Sequence, residues 1–168
     1  MIDWLNTIQR AQNLGQELWQ LKKFAWYWRL QAAYRLHQPL FWGYRSIPDD
    51  QQIDDPTNLT YGDTPVLTAY QIGNRLRLTE HQQWFEPGSG VGFSLITMHL
   101  AFGCQIGGIE FLEHRHRKAQ LIFRSLGLDP QSNKTSLECG DFLNFTWPTE
   151  AYIYLTPTSW TPTLWHNV

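Results

Sequence analysis

Apolar residues recur at helical spacing from the start of the chain: Trp4, Leu5, Ile8 and Ala11, then Leu14, Leu18 and Leu21, then Ala25, Trp28 and Ala32. This period predicts helix over residues 3–36, in two pieces broken near Gly15, with the stripe ending near Pro39. Such a stripe is expected to pack on the rest of the molecule while the basic residues around it stay in water. Periodicity then disappears. Residues 46–63 hold Pro48, Asp49, Asp50, Asp54, Asp55, Pro56 and Gly62 and read as a linker. Thr64-Pro65 predicts a helix start, with Thr64 as N-cap and Pro65 in the first turn, where its missing N–H costs nothing. Val66, Leu67, Tyr70 and Ile72 supply the buried side of that helix.

From residue 82 the pattern alternates. Gln83-Trp84-Phe85-Glu86 predicts a short strand running into a glycine loop, and Phe93 to Phe102 is a nearly all-apolar helix closed by Gly103. Cys104 to Glu110 predicts a second strand, Leu112 to Leu126 an amphipathic helix ending at Gly127, and 136–139 and 152–155 two further strands. Strand–helix alternation implies right-handed crossovers, a parallel sheet of the α/β class and helices on both of its faces.

Composition narrows this picture. A chain of 168 residues suits one core, and nine tryptophans are not the mark of a disordered segment. A net charge of −2 provides no global attraction to nucleic acid or to anionic lipid, although residues 1–45 are locally basic, with six Lys or Arg against Asp3 and Glu17. No eighteen-residue apolar run predicts a membrane span, and charged residues interrupt any signal-peptide pattern, so a cytoplasmic protein is expected. Cys104 and Cys139 have no ligand-spaced neighbours and are expected to be buried, reduced thiols.

Three carboxylates stand at three successive predicted strand ends. Glu86 precedes Gly88-Ser89-Gly90-Val91-Gly92, whose glycines permit a tight turn and close approach of a ligand to backbone. A dinucleotide fingerprint begun at Gly88 would need glycine at position 93, which is Phe93. An acidic residue before the loop favours a ligand with a cationic amino group. Glu110 ends the second strand, where a carboxylate can accept from both hydroxyls of a ribose. Asp141-Phe142 follows the third strand, where a carboxylate and a ring can meet an adenine amino group and face, although Gly140-Asp141 is also turn chemistry. The run Glu113-His114-Arg115-His116-Arg117-Lys118 reads as a solvated helix face, and His99 as a satisfied core or rim histidine.

The segments Glu86 to Gly92, Gly108-Ile109-Glu110, Gly140-Asp141-Phe142 and Ile153-Tyr154-Leu155-Thr156-Pro157 resemble the ordered motifs of class I S-adenosylmethionine-dependent methyltransferases. Together with Tyr61-Gly62-Asp63-Thr64-Pro65, the loop more narrowly resembles that of the Dot-type histone-lysine methyltransferases; the resemblance spans roughly residues 60–160. It implies a Rossmann-like half-sheet, strand order 3-2-1-4, carrying an N-terminal helical segment (1–45), a linker and cofactor-covering loop (46–63) and a cofactor-binding domain (64–168). It also implies S-adenosylmethionine as cofactor, with Glu86, Gly88, Ser89, Gly90 and Gly92 around its methionine end and Tyr61 and Thr64 over that end. Glu110 would hold the ribose, while Asp141, Phe142 and Phe111 or Leu112 would meet the adenine. Thr156, Thr158 and Trp160, with Tyr61, would face the methyl acceptor, a protein lysine or a small molecule.

Where Dot-type enzymes carry asparagine after the fourth strand, this chain has Thr156-Pro157. It also stops soon after Trp160, where the resemblance leads one to expect three more strands. The expected picture is therefore a truncated or split enzyme whose fourth strand is an exposed edge, open to self-association or to a partner chain. The rival readings are a nucleotide-binding domain, disfavoured by Phe93 and Glu86, and a non-catalytic scaffold that kept the half-sheet for binding.

Overall fold

The computed structural model describes residues 2–37, 62–157 and 160–167, with side chains from residue 12 onward. The linker at 46–61, Tyr61 and Thr158 lie outside the described residues. Along the chain run α1 (Ile2–Leu21), α2 (Ala25–His37), α3 (Val66–Arg75), β1 (Gln83–Pro87), α4 (Phe93–Phe102), β2 (Gln105–Glu110) and α5 (Glu113–Ser125). Then follow β3 (Gln131–Ser132), β4 (Thr135–Cys139), a short 3-10 helix (Phe142–Asn144), β5 (Ala151–Ile153) and α6 (Pro162–His166).

The sheet order is β3-β4-β2-β1-β5. Its four parallel strands, β4, β2, β1 and β5, stand in the expected order 3-2-1-4. The extra strand, β3, pairs antiparallel with β4 through Gln131↔Ser136 and Ser132↔Thr135. A two-residue strand shows no periodicity, and its Asn133-Lys134 turn lacks the glycine that advertises a tight hairpin.

Pairing register sorts the side chains. Trp84 lies beside Ile106, Glu86 beside Gly108, and Gly108 beside Leu137, so these residues share one face of the sheet. On that face Trp84, Ile106 and Leu137 build a single core with Leu30 and Ala33 of α2, Ala69 of α3, Leu95, Ile96 and Met98 of α4, and Ala119, Ile122 and Phe123 of α5. Helices α2 to α5 thus all feed one core on this face. Phe85 points the other way, where Phe145 stacks on it at 5.5 Å.

The N-terminal helices differ from their expected form. Gly15 lies within α1, and the break falls at Lys22–Phe24. The buried face of α2 is Tyr27, Leu30 and Ala33, whereas Ala25, Trp28 and Ala32 are exposed. With apolar residues nearly all round this helix, period alone could not choose its face. Tyr27 buries its ring while its hydroxyl donates to Glu17 of α1 at 3.0 Å, which pushes the phenol pKa well up, by burial first and by the carboxylate second. Leu30 is 1% exposed, a burial that contributes about 1.5–3 kcal/mol, and Arg29 donates to the Leu126 carbonyl that ends α5 at 3.0 Å. In α1 Leu21 is buried, but Leu14 and Trp19 face water.

Two smaller expectations are also corrected. Thr64 does not cap α3; the N-cap is Pro65, with no side-chain cap bond. Cys104 is buried as expected, whereas Cys139, at the end of β4, is exposed.

Candidate functional site

Strand β1 delivers the chain to a loop that must turn at once into α4. Gly88, Gly90 and Gly92 adopt φ of 72°, 58° and 80°, a left-handed region that strains any side chain. The loop is tied to β2, because the Gly88 and Ser89 N–H groups both donate to the Ile109 carbonyl, at 2.8 and 3.1 Å. It lies flat on that strand only because residue 108 is glycine; a Cβ there would come within 2.7 Å of Ser89 and Leu95. Beside Gly88 the space a Cβ would take is open.

Glu86 rises from this strand end on the helix-side face and is only 6% exposed. Its carboxylate accepts the Ser94 hydroxyl from the first turns of α4. Burial raises its pKa to about 8, against the lowering effect of the Ser94 bond, and the charges nearby, Asp63 and Glu110, raise it further because both are negative. A carboxylate held in this way is costly to ionise until a cation arrives.

Glu110 occupies the corresponding place at the end of β2 and is 4% exposed. One oxygen accepts from the Gly90 N–H at 2.8 Å and the other from the Leu112 N–H at 3.0 Å. The Arg115 guanidinium, itself buried, stands 4.0 Å away. Burial still raises the Glu110 pKa, opposed by the two backbone bonds and Arg115. Glu110 therefore clasps the glycine loop. Each oxygen keeps a second lone pair for a ligand hydroxyl.

Gly62, Asp63, Thr64 and Thr156 gather over Glu86, Gly88, Ser89, Gly90, Phe93 and Ser94 around a recess of about 30 Å³. That volume holds an ammonium-sized group or a water or two. Thr64 and Tyr154 hydroxyls bond at 3.1 Å and tie the residues before α3 to the end of β5. Of the two alternatives for packing on the adenine beside Asp141 and Phe142, Phe111 is 41% exposed and Leu112 fully buried, so Phe111 is the one accessible to a ligand. Asp141 caps the 3-10 helix, accepting from Leu143 N at 2.9 Å and Asn144 Nδ2 at 3.1 Å. Phe142 is half-buried and stacks on Trp160 at 5.2 Å. Trp160, expected on the acceptor side, thus stands against the residue expected on the adenine side.

Sequence reasoning missed Ser94, Asp63, Arg115 and Tyr154. Arg115 and His116 lie in the charge run read as a solvated face, yet both are buried, and the run's proximity to Glu110 was the available signal. His99 fits its expected role, with Nδ1–H donating to the Cys104 carbonyl at 2.9 Å. Among the described residues no cluster of His, Cys, Asp or Glu could hold a metal ion, and no helix is long and apolar enough to cross a membrane.

No known family profile matches the chain, and no curated protein does. Among solved structures it is similar to a Klebsiella pneumoniae protein assigned as an O-methyltransferase, at 17% identity and a TM-score of 0.51, over 76% of this chain and 52% of that one. It is also similar to a protein-L-isoaspartate O-methyltransferase, at 16% identity and a TM-score of 0.43, over 77% of this chain and 42% of that one. A third is the tRNA (m1A58) methyltransferase TrmI of Aquifex aeolicus, at 19% and 0.41, over 61% of this chain and 36% of that one. The chain thus spans about a third to a half of the length of these proteins. The first likeness, together with the sheet order, defines the fold as that of Rossmann-like methyltransferases.

Proposed function

We propose that the chain binds S-adenosylmethionine and transfers its methyl group. The observation that carries this reading is Glu86: a buried carboxylate at the C-terminal end of β1, beside three left-handed glycines, whose charged neighbours are acidic. Such a group calls for a cationic ligand. The recess over it has room for the α-ammonium of a methionine moiety. In this reading Glu86 and the Gly88–Gly92 backbone hold the methionine end, with Ser94 orienting the carboxylate and Thr64 and Thr156 closing over it. Glu110 uses its spare lone pairs on the ribose hydroxyls, and Phe111 and Phe142 flank the base, with Asp141 beside it. Tyr61 and Thr158 belong to the same proposal, and Trp160 backs Phe142.

The sulfonium cofactor supplies an already activated methyl group, so the protein's task is to align the acceptor and exclude water more than to move protons. The narrower kinship with Dot-type enzymes has Gly62, Asp63 and Thr64 at the recess in its support. A second reading, a binding scaffold, is favoured by one observation: β5 ends the sheet with no strand paired on its outer side among the described residues, which leaves an edge for another chain.

Calorimetric titration with S-adenosylhomocysteine tests the proposal. The wild-type chain should bind it and Glu86→Gln should lose roughly tenfold or more, the worth of a charged hydrogen bond. NADH should not compete. Absence of binding, or equal binding of NADH, would remove the methyltransferase reading.

A further inference from the structure

The two N-terminal helices pack by one side only. Leu21, Tyr27, Leu30 and Ala33 are buried, and Glu17 accepts from the Tyr27 hydroxyl at 3.0 Å and from Gln31 Nε2 at 3.4 Å. The outer side carries large apolar residues in water. Leu14, Leu18 and Lys22 follow one another at four-residue spacing, and the Lys22 N–H still donates to the Leu18 carbonyl, so the three share a face of α1 and its last turn. Trp28, Ala32 and Leu36 share a face of α2 in the same way, and all six residues are exposed. The Trp28 indole N–H donates to the Lys22 carbonyl at 2.8 Å and so joins the two stripes. Trp19, next to Leu18 in α1, is 76% exposed. Four exposed cations accompany these residues: Lys22, Lys23, Arg29 and Arg35. From Gln12 to His37 the sequence sets only one carboxylate against them, Glu17, which is engaged with α2.

We propose that this face docks on a bilayer surface bearing anionic headgroups, with α1 and α2 lying in the plane of the interface. Exposed leucines and tryptophans gathered on one side mark a surface that meets something less polar than water. At a bilayer, Trp19, Trp28 and the leucines enter the boundary between headgroups and acyl chains, while the Lys and Arg side chains reach back to the phosphates. The chain as a whole has a net charge of −2, so this positive face is local and turns the molecule towards an anionic surface. A second copy fits less well, because a two-fold contact would bring two cationic faces together. Nucleic acid would answer the charges and leave Leu14, Leu18 and Leu36 without a partner.

Flotation of the full chain with vesicles tests this, using phosphatidylcholine alone and phosphatidylcholine mixed with phosphatidylglycerol. The mixed vesicles should bind roughly tenfold or more tightly, the worth of two cations near an anionic surface, and raised salt should erase most of that gain. Lys22→Gln combined with Lys23→Gln should lose it at low salt too. Trp19→Ala should weaken binding to mixed vesicles several-fold. Trp165→Ala, which removes an equally large exposed ring from α6, should leave it unchanged. All these side chains are exposed, so the variants should keep the wild-type Tm. Absence of vesicle binding, equal binding to both vesicles, or full binding in both the lysine and the Trp19 variants would overturn the proposal. So would a chain that ignores vesicles and binds an oligonucleotide, or one that ignores vesicles and forms a dimer lost in Trp19→Ala.

Discussion

The molecule builds one device twice, and its two copies do opposite things. Each of β1 and β2 ends in a buried glutamate on the helix-side face, and each leads through a loop into a helix. At the end of β2, Glu110 has two backbone N–H groups and a buried arginine. At the end of β1, Glu86 has one hydroxyl and acidic neighbours. The same residue at the same place in the fold is in one case a clasp on the glycine loop and in the other a carboxyl left for a ligand to ionise. Burial alone does not mark a binding group; its balance of partners does.

The sharpest way to break the comparison is Glu110→Ala. It strands Gly90 N–H, Leu112 N–H and the Arg115 charge in the interior, and should cost about 3 kcal/mol or more in urea unfolding. A cost under about 1 kcal/mol, within the range of an ordinary exposed pair, would mean that Glu110 is no clasp.

Glu86→Gln should act in the opposite direction. The folded-state pKa of about 8 lies above the ordinary 4.5. The stability linked to this proton is therefore fully present below pH 4.5 and is lost as pH rises towards 8. The glutamine variant lacks that slope. It should match the wild type near pH 4.5 and exceed it at pH 8, by roughly 2–4 °C in Tm for each kcal/mol. A variant less stable than wild type at pH 8 would show that Glu86 already has a compensating partner.

Ser94→Ala removes the bond that lowers the Glu86 pKa, so the Glu86 carboxyl signal in carbon-13 NMR should titrate at higher pH than in wild type, without a large stability change. A downward move would contradict the assigned donor. The smallest effect belongs to Thr64→Val, which removes one hydroxyl from the half-buried Tyr154 bond and should cost about 1 kcal/mol.

The legibility of the sequence followed the same division. The run from Trp84 to Glu110 was readable almost residue by residue, because an all-apolar helix between two strands leaves few alternatives and three glycines mark the turn. The α2 face was not readable, since Trp26, Tyr27, Trp28 and Leu30 offer apolar surface in several directions and the buried side, with Leu30 and Ala33 in the core, is set by tertiary packing. The partners of each glutamate were the least legible part. Arg115 lay inside a run whose charge density suggested water, and Ser94 inside a helix whose apolar character masked its two hydroxyls, Ser94 and Thr97. Both act through tertiary approach that spacing does not encode.

The central claim is that Glu86 is a protonated carboxyl that ionises when a cationic ligand arrives. Calorimetry of S-adenosylhomocysteine binding at pH 7, in two buffers of different ionisation heat, measures this directly. The account predicts binding with release of close to one proton, since a group with pKa about 8 is mostly protonated at that pH, and an affinity that rises between pH 6 and 8 and loses this dependence in Glu86→Gln. Binding with no proton release, and with the same pH profile in the variant, would contradict it.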